Sequence, residues 1–461
     1  VPRLGGWVAT LAALAAAVWP VGSAQGRTLT AAAVPGEAAR AIAAAAAGDT
    51  VVLGGGAHAG PLRVDRSIVL RGAPGAALAG GGHGTIVRIS APGVVVEDLE
   101  IRDSGRRVLT IDSGIQVLSA GDVTLRRLRM REVLYGIYAE RAPRLRVEGC
   151  TLTGRVRPMD ELGEGNGIHL WYSDGAVLRD NTIRRFLDAI YLSFANHMTA
   201  EGNRLSNSGR YGFHTMYCQD NRLIGNRFER NLAGCAVMFS NHLRVERNAF
   251  VHNRGPRTYG LLLRDCSGGV FVDNQMVDNT VAVFMDNSNR NRLRGNLVQD
   301  NGWGLLMFSS CAGNQVAGNA FINNDYPVAL DMRRTDNRFD DGRRGNFWSD
   351  HAAYDLDGDG LSDVPYSPVS AFAFLSKQYP DLSVLAKSPA VAALGVAEHA
   401  FPALRPSEAV DRHPLVHPPV LAGGRGTETV RLARADWTGA LGFGLLGAIG
   451  TFGLVAARRR P

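Results

Sequence analysis

LRDNTI (178–183), AEGNRL (200–205), LIGNRF (223–228), VERNAF (245–250), FVDNQM (271–276), LRGNLV (293–298) and VAGNAF (316–321) are one phrase repeated along the chain. Each copy reads turn, Asn, alternating apolar residues. The asparagines Asn181, Asn203, Asn226, Asn248, Asn274, Asn296 and Asn319 follow one another at 22, 23, 22, 26, 22 and 23 residues. A period this short, with strand-like alternation inside it, belongs to stacked coils that each bury a face only against their neighbours. The chain is therefore all-β: a right-handed, single-stranded parallel β-helix, a solenoid of the pectin-lyase type.

Outward from the repeat the pattern weakens in both directions. Upstream, VTLRRLRM and LRVEGCTL place Leu99, Leu128 and Cys150 in line with the asparagines, so coils are expected from residue 50 to 335. The Ala-rich stretch 35–49 reads as a helix closed by Gly48, within an N-terminal cap at 28–49 that shields the first open coil. Downstream, residues 336–436 lose the period and read as a C-terminal cap and partner-facing segment.

The ends carry two more signals. Residues 1–24 have one basic residue, an apolar run over 7–19 and small residues Gly22 and Ala24, which is a secretory signal layout. Residues 437–457 are uncharged and precede Arg458, Arg459 and Arg460, which is a transmembrane helix by length and basic flank. Those arginines then lie in the cytoplasm, and the solenoid is periplasmic, anchored to the inner membrane by its C-terminal helix.

The chain has 461 residues and a formal net charge of +7, carried almost wholly by Arg, since Lys377 and Lys387 are the only lysines. The arginines are spread through the turns instead of gathered into a stripe with aromatics. That is a solvated surface, and no nucleic-acid partner is expected. Five cysteines, Cys150, Cys218, Cys235, Cys266 and Cys311, lie in a compartment that permits disulfides. Cys218 and Cys266 share a column two coils apart, roughly 9.6 Å by strand spacing. A disulfide needs Cα atoms within about 7 Å, so buried free thiols are expected.

The second strand of each coil aligns on a small residue: GIHLWY (167–172), AIYLSF (189–194), GFHTMY (212–217), GCAVMF (234–239), GLLLRD (260–265), AVFMDN (282–287), GLLMFS (304–309). The first and third places after it, such as Ile168 with Leu170 and Cys235 with Val237, are apolar and face the core. The second and fourth places point outward and hold His169 with Trp171, Tyr191 with Ser193, His214 with Met216, Ala236 with Met238, and Phe284 with Asp286. Large soft residues on consecutive coils mark a contact surface.

His214 and Met216 share a strand, and Met238 lies beside Met216 on the next coil. Thioether and imidazole together suit a soft ion, Cu(I) above all. The plain alternative is an apolar docking patch with an incidental histidine. A second candidate, near the following turn, is His197, Asp220 and His242 on successive coils, with Met198 beside the first. DLDGDGLSD (355–363) places Asp355, Asp357, Asp359 and Asp363 at positions 1, 3, 5 and 9 of a calcium loop, with Gly360 at 6; position 12 is Tyr366 where an EF-hand has Glu. It reads as a calcium turn or a solvated acidic turn. An enzyme reading has only Asp286 and Asp331, two coils apart with Phe308 between, which is long for a glycosidase carboxylate pair.

At GNFWSDHAAYDLDGDGLSDVPY (345–366) the chain resembles the family of the nitrous oxide reductase maturation protein NosD, extracytoplasmic copper-binding β-helices. The resemblance covers about residues 28–370. It implies copper, Cu(I), as the bound ion, and a role beside an ABC transporter, NosF and NosY, and the copper chaperone NosL in building the copper centre of nitrous oxide reductase. Under that resemblance His214, Met216, Met238 and His169 become the expected copper face, with His197, His242 and Met198 as the alternative. The runner-up is a carbohydrate-active β-helix enzyme: a polysaccharide lyase, hydrolase or epimerase.

Overall fold

The computed structural model describes residues 26–385, 388–401 and 406–420. The expected signal peptide 1–24 and membrane span 437–457 lie outside the described residues. Among those described, no helix is long and apolar enough to cross a membrane.

A representative coil is Val177–Arg179, Thr182–Arg184 and Asp188–Ser193: two three-residue strands, then a six-residue one. Each pairs in parallel with the equivalent strand of the next coil, giving three sheets of 13, 13 and 12 strands that wind as a right-handed solenoid. The first sheet runs from Thr28–Ala31 to Gln315–Ala317, the second from Gly56–Ala59 to Phe347–Trp348, and the third from Leu62–Val64 to Tyr326–Leu330.

The solenoid begins earlier and ends later than 50–335. Thr28–Ala31 pairs in register with Thr50–Leu53, so the segment expected as cap already contributes a strand. At the other end Phe347–Trp348 adds to the second sheet. Helix α1 (Glu37–Ala44) is shorter than 35–49 and buries Ala38 and Ile42. It stops because the Asp49 carboxylate accepts the backbone N–H of Ala46 at 2.9 Å and of Arg27 at 2.8 Å, fixing a loop there instead of another turn. Beyond the sheets, α2 (Ala371–Gln378) and α3 (Pro389–Ala400) start at Ser370 and Ser388, whose side chains accept from Ala373 N and Val391 N. Phe372 of α2 stacks on Tyr326 of the last third-sheet strand, 5.6 Å between ring centroids.

The asparagine column is a buried amide ladder. Asn181 Nδ2 donates to Asn203 Oδ1 at 2.9 Å, and the relay continues through Asn226, Asn248, Asn274, Asn296 and Asn319 to Asn346. Each Nδ2 also donates to a carbonyl one coil back, as Asn203 does to Leu178 O at 2.8 Å. Each Oδ1 takes a backbone N–H, so an amide satisfies polar groups that a tight corner would otherwise bury unpaired. Left-handed backbone at this corner belongs not to the asparagine but to the residue before it: Asp180 (φ 53), Gly202 (φ 65), Gly225 (φ 61), Arg247 (φ 51). The ladder closes on Asp411, which accepts from Asn346 N at 2.7 Å and from Trp348 Nε1 at 2.8 Å.

Two further ladders hold the other corners. Asn253, Asn279, Asn301 and Asn324 relay side chain to side chain at one, and Asn291, Asn314 and Asn337 at the other. Only the first stood out in the sequence, because there the asparagine falls at a fixed place in a repeated phrase.

Candidate functional site

The third sheet faces outward in columns that strand register fixes. One reads Tyr138, His169, Tyr191, His214, Ala236, Leu262, Phe284; beside it stand Glu140, Trp171, Ser193, Met216, Met238, Arg264, Asp286. His214, Met216 and Met238 therefore occupy the adjacent places expected of them. The face is less open than the alternation implied. His214 is 4% exposed and Ala236 fully buried, while Met216 and Met238 are half-buried. Rings and long side chains on neighbouring coils cover one another, and Ala236, Leu262 and Phe284 form an apolar cluster with Tyr211, Met238 and Tyr259.

Under His214 lies a charged network that the sequence did not disclose. Asp188, fully buried, accepts from His214 Nδ1 at 3.0 Å, from Arg210 Nε at 3.0 Å and Nη2 at 2.7 Å, and from Tyr211 N at 3.2 Å. Burial alone pushes the Asp188 carboxyl up. Hydrogen bonds from His214 and Arg210 outweigh it and hold the group below the ordinary carboxylate range. With Nδ1 donating to a carboxylate, His214 presents Nε2, which is buried and has no hydrogen-bond partner among the described residues. A histidine whose second nitrogen is fixed by a carboxylate is the arrangement that orients an imidazole ligand on a metal. Next to it the Tyr191 hydroxyl donates to Met216 Sδ at 3.6 Å.

His169 does not join this group. It stands two coils away, with the Tyr191 ring between: centroids are 4.6 Å from His169 to Tyr191 and 4.8 Å from Tyr191 to His214. Its Nδ1 meets the Asn166 amide at 3.2 Å, and burial pushes its pKa down to about 4, so it is neutral at ordinary pH. It packs edge-on against the ring of Tyr191 and tilted against that of Tyr138, as one member of an aromatic row.

The alternative set divides. His197, Asp220 and His242 project outward, Asp220 lying 4.0 Å from His197 Nδ1 and 3.5 Å from His242 Nδ1. Met198 is fully buried, which removes it from that set. All three outward residues sit in left-handed backbone (φ 55, 56 and 55), and the residue after each turns into the interior, as Asn221 and Leu243 also do.

Asp355, Asp357 and Asp359 offer carboxylate oxygens within 4.8 Å of one another. Asp363 does not join them: its Oδ2 accepts from Leu356 N at 2.8 Å and closes the loop. Asp286, named for the enzyme reading, faces Arg264 Nε at 3.4 Å. The cysteines are buried, and burial raises each thiol, Cys150 and Cys218 to about 11 and Cys266 to about 12. A native-state titration with an aromatic disulfide reagent is expected to release no thiolate within minutes, and five per chain in denaturant; rapid native labelling would contradict this burial.

Sequence reading also passed over the sixth place of the aligned strands, where Tyr172, Phe194, Tyr217 and Phe239 stack at 4.8, 5.1 and 5.0 Å. Their rings stay 36–47% exposed along one edge, beside Met216 and Met238. The letters were visible at that place, but only register shows that the rings touch.

Fold and face together define a class: a right-handed β-solenoid whose third sheet carries histidine, methionine and a row of stacked aromatic rings on its outer side. Among solved structures the fold is similar to the A-modules of the Azotobacter vinelandii mannuronan C-5 epimerases AlgE4 (TM-score 0.52, 14% identity, 64% of this chain and 91% of that one) and AlgE6 (0.50, 18%, 64% and 90%). At these identities the likeness concerns the fold alone. A family model described as "Periplasmic copper-binding protein (NosD)" matches residues 153–353. Two curated relatives, each named "Probable ABC transporter binding protein NosD", come from Pseudomonas aeruginosa (32% identity over 80% of this chain and 88% of that one) and Stutzerimonas stutzeri (30%, 79% and 86%). The chain belongs to the NosD family.

Proposed function

We propose that this chain is a periplasmic copper-binding accessory protein that serves the maturation of the copper centre of nitrous oxide reductase. The observation that carries the reading is His214, held through Nδ1 by Asp188 with Nε2 unpartnered, in register beside Met216 and Met238. An imidazole and two thioethers form a soft, neutral donor set that favours Cu(I) over hard divalent ions. Family membership, the description of the family as copper-binding and the relatives' description as ABC transporter binding proteins support the copper and the transporter association. On this reading the ABC transporter NosF/NosY, the chaperone NosL and the reductase are the partners, and residues 437–457 hold the chain to the inner membrane. His197, Asp220 and His242 form the second copper candidate. Asp355, Asp357 and Asp359 form a calcium turn or a solvated acidic turn.

The test is Cu(I) titration of the full chain against a competing chelator. One equivalent is expected to bind, and His214→Ala/Met216→Ala/Met238→Ala to lose at least a hundredfold in affinity with unchanged circular dichroism. His197→Ala/His242→Ala is the comparison; if it abolishes binding and the triple variant does not, the site belongs to the outer turn.

The second reading, a carbohydrate-active enzyme, draws on the His214–Asp188 dyad beside Tyr191, groups able to move protons. Burial weighs against it, since a glycan cannot reach an imidazole 4% exposed without displacing the rings around it. Shortened or epimerised uronan after incubation with the chain would reverse this order.

A further inference from the structure

Following the outward column of the third sheet away from His214, the residues before Tyr138 are Gln116, Arg88 and Arg63, in unbroken register. Two guanidinium groups thus leave the same face of adjacent strands, a like-charge pair that a sheet does not favour by itself. Arg106 and Arg107, on the loop between Glu100–Arg102 and Ser113–Leu118, bring two more to the same region. A depression of about 390 Å³ lies there, lined by Arg88, Arg106, Arg107, His83, Thr110 and Asp112.

Elsewhere on the solenoid many arginines are matched. Glu97, 1% exposed, takes Arg71 at 2.6 Å, Arg126 at 2.6 Å and Arg127 at 2.9 Å, and Asp122 takes Arg144 at 2.6 Å. Among the described residues no carboxylate comes within ion-pair distance of Arg63, Arg88, Arg106 or Arg107. Asp112, the one acid in the depression, is turned to its own loop: it accepts from Arg107 N at 3.0 Å and from the Thr110 hydroxyl at 2.8 Å. Arg88 donates through Nε to Gln116 Oε1 at 3.2 Å, a neutral contact that leaves its charge uncompensated. One rim is the turn 80–84, with Gly81, Gly82 and Gly84 at φ 62, 81 and 55, closed by Gly82 N donating to Asp103 O at 2.9 Å and His83 N to Gly80 O at 3.2 Å. These backbone N–H groups are already engaged, so the guanidinium groups carry the attraction for an anion.

We propose that this depression binds an oxyanion of the phosphate class, as free phosphate or as the phosphate of a lipid head group, through Arg88, Arg106 and Arg107. One carboxylate is satisfied by one bidentate guanidinium. Three guanidinium groups at one depression match the spread charge of a tetrahedral oxyanion better, and its volume leaves room for the rest of a head group. The site stands apart from His214 and does not rest on the copper reading.

The experiment uses the full chain in detergent, with inorganic phosphate as probe at constant ionic strength set by chloride. Calorimetry is expected to show saturable phosphate binding, weakened at least tenfold in Arg106→Gln/Arg107→Gln and also in Arg88→Gln, and unchanged in Arg222→Gln. Circular dichroism and the urea unfolding midpoint confirm that each variant is folded. Sedimentation with phosphatidylglycerol and with phosphatidylcholine vesicles separates the sources: retention on the former that free phosphate displaces and the double variant loses assigns a head group, and phosphate binding without retention assigns the free ion. No saturable phosphate binding, binding equal in wild type and double variant, or an acidic peptide that binds without competition from phosphate would overturn the proposal.

Discussion

Replacing Asp188 by alanine is expected to lower the unfolding free energy by about 3–5 kcal/mol, the usual penalty for breaking a buried ion pair from one side. The same change is expected to weaken Cu(I) binding about 10–100-fold, as loss of a ligand-orienting carboxylate does. Asp188 is fully buried and receives four hydrogen bonds, two from Arg210, one from His214 and one from Tyr211 N. Its removal leaves the Arg210 guanidinium, 32% exposed, with a reduced counter-charge and frees the imidazole to turn. Partial solvation of Arg210 sets the lower end of the range. Urea unfolding measures the first effect and chelator competition the second. Asp188→Asn separates them, because an amide keeps the shape and one acceptor while losing the charge. Should Asp188→Ala match wild type in copper affinity, His214 is not positioned by Asp188 and the proposed site loses its main support.

Asn248→Ala is expected to cost about 3–5 kcal/mol, from buried polar partners left unsatisfied at about 1–3 kcal/mol each. Asn248 Oδ1 accepts from Asn226 N at 2.8 Å and Asn226 Nδ2 at 2.9 Å, and its Nδ2 donates to Leu223 O, Glu246 O and Asn274 Oδ1. Alanine removes all five bonds at a site with no exposure, and the corner is too tight to admit water freely. Because coils contact only their neighbours, the damage is expected to stay local. Limited proteolysis should open between residues 226 and 274, and urea unfolding should become less cooperative. Gln219→Ala, an exposed amide whose side chain has no hydrogen-bond partner among the described residues, is the control and should shift stability by less than about 0.5 kcal/mol. Equal effects at the two positions would remove the ladder from the account of stability.

Much of the architecture was legible because a parallel β-helix repeats one packing solution. A residue that solves the corner problem once, such as Asn181, returns each time the corner returns, so period and register can be read as text. Register in turn placed Met216 beside Met238, and Cys218 and Cys266 in one column two coils apart, where Ser240 fills the coil between them and its Oγ accepts from Cys218 N at 3.0 Å. The early coils were harder to read. Thr28–Ala31 lacks an asparagine phrase and is recognisable as a strand only through its partner Thr50–Leu53.

By itself the sequence determined the solenoid, its period, the inward and outward faces and the identity of the soft donors on one strand face, since all of these follow from spacing along one chain. Tertiary structure alone decided that His169 is screened from His214 by Tyr191, that Met198 points inward, and that Asp188 and Arg210 meet beneath His214. It also decided that Arg88, Arg106 and Arg107 line one depression with no ion pair among the described residues. The physical reason is common to these cases. Spacing says which face a side chain leaves from, whereas burial, tautomer and charge balance depend on what neighbouring coils and loops bring against it.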